Sequence, residues 1–342
     1  MQISRRDFGA DDENVKQVPL PDGTMTTLSE EQVVLEQLRL ARVGRGMRVL
    51  EVGCGTGYLC AHLVQAVGRG DLVYGNDILP QAVELARANL NRIGIDGVRL
   101  FTGNGLEGVE ESRTRFDRII VSCAVREFPW RLVEQLSPGG VMVLPLERGW
   151  TLLFDGVLLS VLRVDERVAL VPLEMASGIF MIAEGTVPAV PLSRIEVPPL
   201  LEGFDNHLLM YKHSAEEIGC PPDARWQEVP VDGQQPFPGG ALRQIALLLS
   251  VLCPERTCFL VPSHQPGYMG VGVWQSSPFG VAIATFSQSG MDFLGEVYTL
   301  GDRSIATELL AVVERAKLPP AERLNHTRRE WTPEQGWRVA TT

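Results

Sequence analysis

The sequence predicts a doubly wound α/β fold, followed by a smaller α+β module. Three observations carry that prediction. First, RVLEVGCGTGY (48–58) passes from a β-rich apolar run into a loop with glycine at alternate positions, then into apolar residues at helical spacing. Strand, glycine loop and helix form the opening unit of a nucleotide-binding α/β fold. Second, strand candidates follow at 72–77, 98–101, 116–121 and 141–146, alternating with helix candidates. That rhythm builds a parallel sheet covered by helices, with ligands at the carboxyl ends of its strands. Third, the alternation stops beyond residue 195, and short strand-like runs gather between two amphipathic segments.

Composition narrows the function classes. The 342 residues are 45% hydrophobic and 21% charged, an ordinary globular balance. A formal net charge of −11 argues against nucleic acid as a main partner, because phosphate binding leaves a basic footprint. No apolar run approaches the roughly 18 residues of a membrane span, and Met1–Ala10 does not read as a signal peptide. Six scattered cysteines without a C-x-x-C pair read as free thiols in a reducing cytoplasm. The five histidines lack metal-ligand spacing, so no metal is expected.

In chain order, residues 1–20 are polar and mixed in charge and predict a flexible arm. PLPDG (19–23) predicts a turn. Ser29, with Gln32 three residues on, has the pattern of a helix cap; Val33, Val34, Leu38 and Leu40 give that helix an apolar face. In the glycine loop the third glycine stands at 57, whereas a dinucleotide loop would put it at 58, which is Tyr. The second strand ends at Asp77, 20 residues beyond Gly57, the station of a ribose-binding acid, with a helix cap or a solvated loop acid as the plainer alternative. A helix runs from Leu79-Pro80 through Asn91, and the third strand ends at TGNG (102–105). The fourth runs into SCAVREFP (122–129), a helix covers Arg131 to Leu136, and Pro138-Gly139-Gly140 turns into the fifth. Beyond these, 195–201 reads as a linker and 204–240 as loop. Helices are expected at 241–251 and 305–316, strands at 257–261, 270–275 and 279–286, and a frayed end apart from Trp331 and Trp337. Ser263, His264 and Tyr268 fall in a Pro/Gly-rich loop and read as loop residues without chemistry. The expected division is a 1–20 arm, a 21–195 nucleotide-binding domain and a 196–342 accessory domain for substrate recognition.

Glu51, two residues before Gly53, completes E-x-G-x-G-x-G, which resembles motif I of the class I S-adenosylmethionine-dependent methyltransferases. Four more stretches resemble the protein-L-isoaspartate O-methyltransferase family: TLSEEQVV (27–34), TGNGLEG (102–108), CAVREFPWRLVEQLSPGGVMVLPL (123–146) and VALVPL (168–173). The resemblance implies a class I methyltransferase domain that uses S-adenosylmethionine and yields S-adenosylhomocysteine. It implies a cofactor set of Glu51, Gly53, Cys54, Gly55, Gly57, Tyr58, Asp77, Ile78, Asn104 and Gly105. It implies Ser29 as the active-site serine, with Thr27, Leu28, Val125 and Arg126 framing the acceptor carboxylate. Two positions depart from the family pattern: Glu31 replaces a proline and Asn104 an aspartate. The implied reaction is methyl esterification of an aspartyl or isoaspartyl carboxylate in a peptide or protein, and the ester can close to a succinimide (aspartimide). The long extension and the altered TLSEE motif resemble methyltransferases that act on ribosomally made lasso or lanthionine peptides, so that specialisation is expected over general repair. A non-catalytic binding module on the same fold is the alternative of another class.

Overall fold

The structure, a computed structural model, describes residues 3–9, 14, 16–109, 114–147, 156–164, 169–178, 180, 181, 183, 192–200, 207–212, 220–230, 241–253, 256–262, 269–289, 292–319, 322–324 and 329–339. The chain divides into two compact units. One comprises Met1–Glu147, Val157–Val187 and Thr327–Thr342, the other Arg148–Gly156 and Pro188–His326. The division therefore falls at 187/188 rather than 195/196, and the last sixteen residues return to the first unit.

The first unit opens with a 3₁₀ turn, Arg5–Phe8, capped by Ser4 and closed by Gly9 at φ 94°. Phe8 is buried edge-on against Tyr58, ring centroids 5.2 Å apart. β1 (Lys16–Pro19) pairs antiparallel with β2 (Met25–Leu28). The described part of residues 1–20 is thus docked, which corrects the expected flexible arm. Burying a phenylalanine contributes about 1.5–3 kcal/mol, and β2 satisfies backbone groups of β1.

α1 (Glu31–Ala41) starts one residue later than a Ser29 cap requires. Glu30 occupies the cap position and its side chain caps nothing, so the Ser29–Gln32 capping box is absent. Next come β3 (Val49–Val52), α2 (Tyr58–Val67), β4 (Val73–Asp77), α3 (Pro80–Arg92) and β5 (Arg99–Thr102). β6 (Phe116–Val121), α4 (Trp130–Gln135) and β7 (Leu136–Leu146) follow. α2 is bounded by glycines with positive φ at both ends, and α3 carries Pro80 at its first turn, where the missing N–H costs nothing. The five strands lie in the order β5-β4-β3-β6-β7, all parallel, as predicted for a class I methyltransferase sheet. Strand order reverses between β3 and β6, and a crevice opens there at the carboxyl ends. β8 (Gly156–Arg163) adds antiparallel to β7, and β9 (Leu170–Gly178) lies beside it. β8 is absent from the sequence reading.

The second unit contains β10 (Leu192–Val197), β11 (His207–Lys212), β12 (Trp226–Val229), α5 (Ala241–Leu252), β13 (Thr257–Pro262), β14 (Gly270–Gln275), β15 (Gly280–Ser289), β16 (Asp292–Gly301) and α6 (Ala306–Lys317). Its sheet runs β10-β11-β13-β14-β15-β16-β12, every pair antiparallel. The expected linker at 195–201 is corrected: Ile195–Val197 belongs to an edge strand paired with β11, and Pro198-Pro199 ends it. β11 and β12 likewise occupy the stretch expected to be loop. Ser263, His264 and Tyr268 lie outside the described residues.

The chain ends in a hairpin, β17 (Arg329–Thr332) and β18 (Gly336–Val339), where fraying was expected. Trp331 pairs with Leu170 of β9 and packs on Phe128, ring centroids 5.0 Å apart. Among the described residues no helix is long and apolar enough to cross a membrane, and no metal-binding cluster of His, Cys, Asp and Glu occurs. All six cysteines are free.

Candidate active site

A cleft of about 210 Å³ opens where β3, β4 and β6 end, within the first unit. Its floor is the glycine loop. Gly53, Gly55 and Gly57 have φ of 84°, 50° and 84°, the left-handed region that side chains avoid. The loop is clamped from β4: the Gly53 and Cys54 amides both donate to the Asn76 carbonyl at 2.8 Å. Asp77 Oδ2 accepts from the Gly55 amide at 2.9 Å, and Oδ1 from the Leu79 amide at 3.1 Å. Both readings of Asp77 thus have a structural basis, since it ties down the helix entry and also lines the cleft. A Cβ on Gly55 would sit 3.0 Å from the Thr27 carbonyl. That close approach brings β2, with Thr27, Leu28 and the following Ser29, onto the loop.

Two acids line the cleft, Glu51 and Asp77, and no lysine or arginine does among the described residues. Such a site favours a cationic ligand. Glu51 is 2% exposed and accepts from Cys60 Sγ at 3.0 Å and Ser122 Oγ at 3.3 Å. Burial outweighs both hydrogen bonds and pushes its carboxyl up to about 7; the charge of Asp77 adds to the rise. Burial also raises the thiols of Cys54, Cys60 and Cys123, the last to about 12, so none is a ready nucleophile. The Tyr58 hydroxyl is buried at the cleft without a hydrogen-bond partner among the described residues. Asn104 Oδ1 accepts from the Leu106 amide at 3.1 Å. Gly105 has no room for a side chain, because a Cβ would lie 2.1 Å from Asn76 Oδ1.

Of the residues expected from sequence, Thr27, Leu28, Ser29, Glu51, Gly53, Cys54, Gly55, Tyr58, Asp77, Ile78, Asn104 and Gly105 line this one cleft. Three do not. Gly57 faces α3, where a Cβ would meet Ala86 at 3.1 Å, so its glycine serves helix packing. Val125 is 1% exposed, its amide bound to the Pro145 carbonyl at 2.9 Å. Arg126 pairs with Glu147 at 2.9 Å. Both belong to the junction with β7, and Ser122 and Cys123 reach the cleft instead. The sequence reading missed Thr26, Gln37, Asn76, Met181 and Ala183. Gln37 is a polar residue within an apolar helix face, a readable signal. Met181 and Ala183 reach the site only because both pair with Ala124, at 2.7 and 2.9 Å, which no local pattern announces.

A model of the protein-L-isoaspartate(D-aspartate) O-methyltransferase family matches residues 1–170. The chain is 36% identical over 129 residues to the protein-L-isoaspartate O-methyltransferase of Fervidobacterium nodosum, covering 38% of this chain and 64% of that one. It is 39% identical over 128 residues to the Pyrococcus horikoshii enzyme of the same name, covering 37% and 57%. These matches span about three fifths of the relatives' own length. Among solved structures, a protein-L-isoaspartate O-methyltransferase superposes with TM-score 0.52 at 18% identity, covering 100% of this chain and 92% of its own. The shared fold therefore extends through the second unit.

Proposed function

The chain belongs, through residues 1–170, to the protein-L-isoaspartate(D-aspartate) O-methyltransferase family, and on that premise we propose that it methylates an aspartyl or isoaspartyl carboxylate of a peptide or protein, using S-adenosylmethionine. The observation that carries this reading is the single cleft in which the loop of Glu51–Gly55 and Asp77 meets Thr27–Ser29. The residues fit the cofactor. Two buried acids suit a cation, and the Tyr58 hydroxyl has hydrogen-bonding capacity to spare. Each Asp77 carboxylate oxygen bonds one amide and keeps an acceptor site for a ribose hydroxyl. Glu51, with Gly53, Cys54 and Gly55, would hold the amino-acid end. Ile78, an exposed apolar side chain at the cleft, with Asn104 and Gly105, would hold the base.

When bound, the cofactor supplies an electrophilic methyl group on a sulfonium. An acceptor carboxylate is already ionised at neutral pH, its reference pKa being near 4, so the chain needs no strong base. Its work is alignment and partial exclusion of water. Ser29, whose hydroxyl caps no helix, orients the acceptor oxygen. Closure of the ester to a succinimide is chemistry of the peptide's own backbone amide.

General action on isoaspartyl sites is favoured over restriction to one ribosomal peptide, because the second unit has a counterpart in a solved family member. Glu31, in the altered TLSEE motif, is the residue that supports the narrower reading. The free cysteines support a reducing, cytoplasmic setting, and the net charge of −11 supports a partner other than nucleic acid. Incubation with labelled cofactor and three peptides, isoaspartyl, aspartyl and amide, tests the proposal. Base-labile label on the isoaspartyl peptide supports it. Cofactor binding without transfer to either carboxylate would favour the binding-module alternative.

A further inference from the structure

Ser29 occupies a gap in the backbone scaffold. β2 ends at Leu28, and α1 begins beyond Glu30, whose side chain provides no cap. Neither the β1–β2 ladder nor the helix therefore holds the Ser29 peptide group. Arg5 does. Its guanidinium donates through Nη1 to the Ser29 carbonyl and through Nη2 to the Asn14 carbonyl. It lies 5.8 Å from the centroid of the Tyr58 ring, and Phe8 packs on the edge of the same ring. Arg5 is 6% exposed. Burying a guanidinium is costly, and its rigid fork suits it to fixing two backbone oxygens at once.

We infer that Arg5 is a positioning residue for Ser29, and that the 3₁₀ turn Arg5–Phe8 is the strap that holds the acceptor side of the cleft against Tyr58. The inference rests on the reading of Ser29 as the residue that orients the acceptor. It separates the two sides of the site: the glycine loop and Asp77 are held from β4, whereas Ser29 is held from the N-terminal turn. Loosening the strap then misplaces the acceptor, while the glycine loop and Asp77 stay held from β4.

The test uses the full chain with Arg5→Met, Arg5→Lys, Ser29→Ala and the double variant Arg5→Met/Ser29→Ala. Hydrogen exchange without ligand is expected to speed up in segment 26–31 of Arg5→Met and stay unchanged across 49–57. With an isoaspartyl hexapeptide, Arg5→Met is expected to lose kcat/KM by tenfold to a hundredfold, the scale of a small misplacement of a reacting group. Cofactor affinity stays within about twofold, and Arg5→Lys, which keeps a donor for the Ser29 carbonyl, recovers part of the loss. The double variant should be no slower than Ser29→Ala alone, because both changes act on one group. Unchanged exchange in 26–31, or fully additive losses in the double variant, overturns the inference. If the wild type esterifies no peptide, the proposed function fails, while the exchange measurement still decides the role of Arg5.

Discussion

Replacing Glu51 by Gln removes a carboxyl that the fold keeps out of water. Burial pushes that group from 4.5 to about 7, against the pull of the Cys60 and Ser122 hydrogen bonds. Between those two pH values the unfolded chain has released the proton and the folded chain retains it. Wild-type stability therefore falls as pH rises through the window and levels off above it. At 1.36 kcal/mol per tenfold, the whole fall is about 3 kcal/mol. Glu51→Gln does not titrate, so without ligand it should exceed the wild type in stability by up to about 3 kcal/mol above pH 7 and match it near pH 4. Urea unfolding across pH 4–8 reads this difference. Ligand reverses the preference, because a bound cation favours the ionised carboxylate and binding below pH 7 expels the proton. Calorimetry at pH 6 in two buffers of different ionisation enthalpy should show close to one proton released by the wild type and none by Glu51→Gln. The variant should also bind the cofactor more weakly. A wild type whose stability and proton release are both flat across this range would refute the buried, protonated state.

The remaining predictions concern the walls of the cleft. Ser29→Ala should leave cofactor affinity near normal and slow methyl transfer; an unchanged rate in a radiolabel assay removes Ser29 from the reaction. Asp77→Ala loses the acceptor for the Gly55 and Leu79 amides and should weaken cofactor binding by roughly 1.5–3 kcal/mol, the scale of a hydrogen bond to a charged group. Equal affinity by calorimetry would take it out of the site. Gly55→Ala places a Cβ 3.0 Å from the Thr27 carbonyl at φ 50°, and should cost about 1–3 kcal/mol of stability, the range for a strained backbone position. Denaturation at constant pH checks it; a neutral result means that β2 does not press on the loop.

The parallel sheet was legible because each strand, turn and helix of the first unit carries its own local signal. Val49–Val52 enters glycines, and Pro80 opens a helix whose Ala82, Ala86 and Leu90 share a face. The glycine-loop side of the cleft was legible for the same reason: Glu51, Gly53, Cys54, Gly55 and Tyr58 lie close together in the chain, and Asp77 ends the neighbouring strand. What stayed hidden depends on pairing between distant segments. VLLSVLR (157–163) follows Asp155-Gly156, a turn signal that the alternation of strands and helices does not call for, and it pairs antiparallel with β7. Trp331 stands out from a polar end in the sequence, but its pairing with Leu170, about 160 residues earlier, has no local signal. Ser29 reads locally as a cap, but the helix begins too late to use it. Val125 and Arg126 sit in the motif that suggested the acceptor site, yet one is consumed by a β-bridge to Leu146 and the other by Glu147.

The account stands most directly on the product of one turnover. Enzyme, S-adenosylmethionine and an isoaspartyl hexapeptide, quenched and read by fragmentation mass spectrometry, should yield a single added methyl group on the isoaspartyl carboxylate, lost as methanol in mild base. Ser29→Ala should yield less of the same product. A methyl group on nitrogen, sulfur or a hydroxyl, or an unmodified peptide from a protein that demonstrably binds the cofactor, would contradict it.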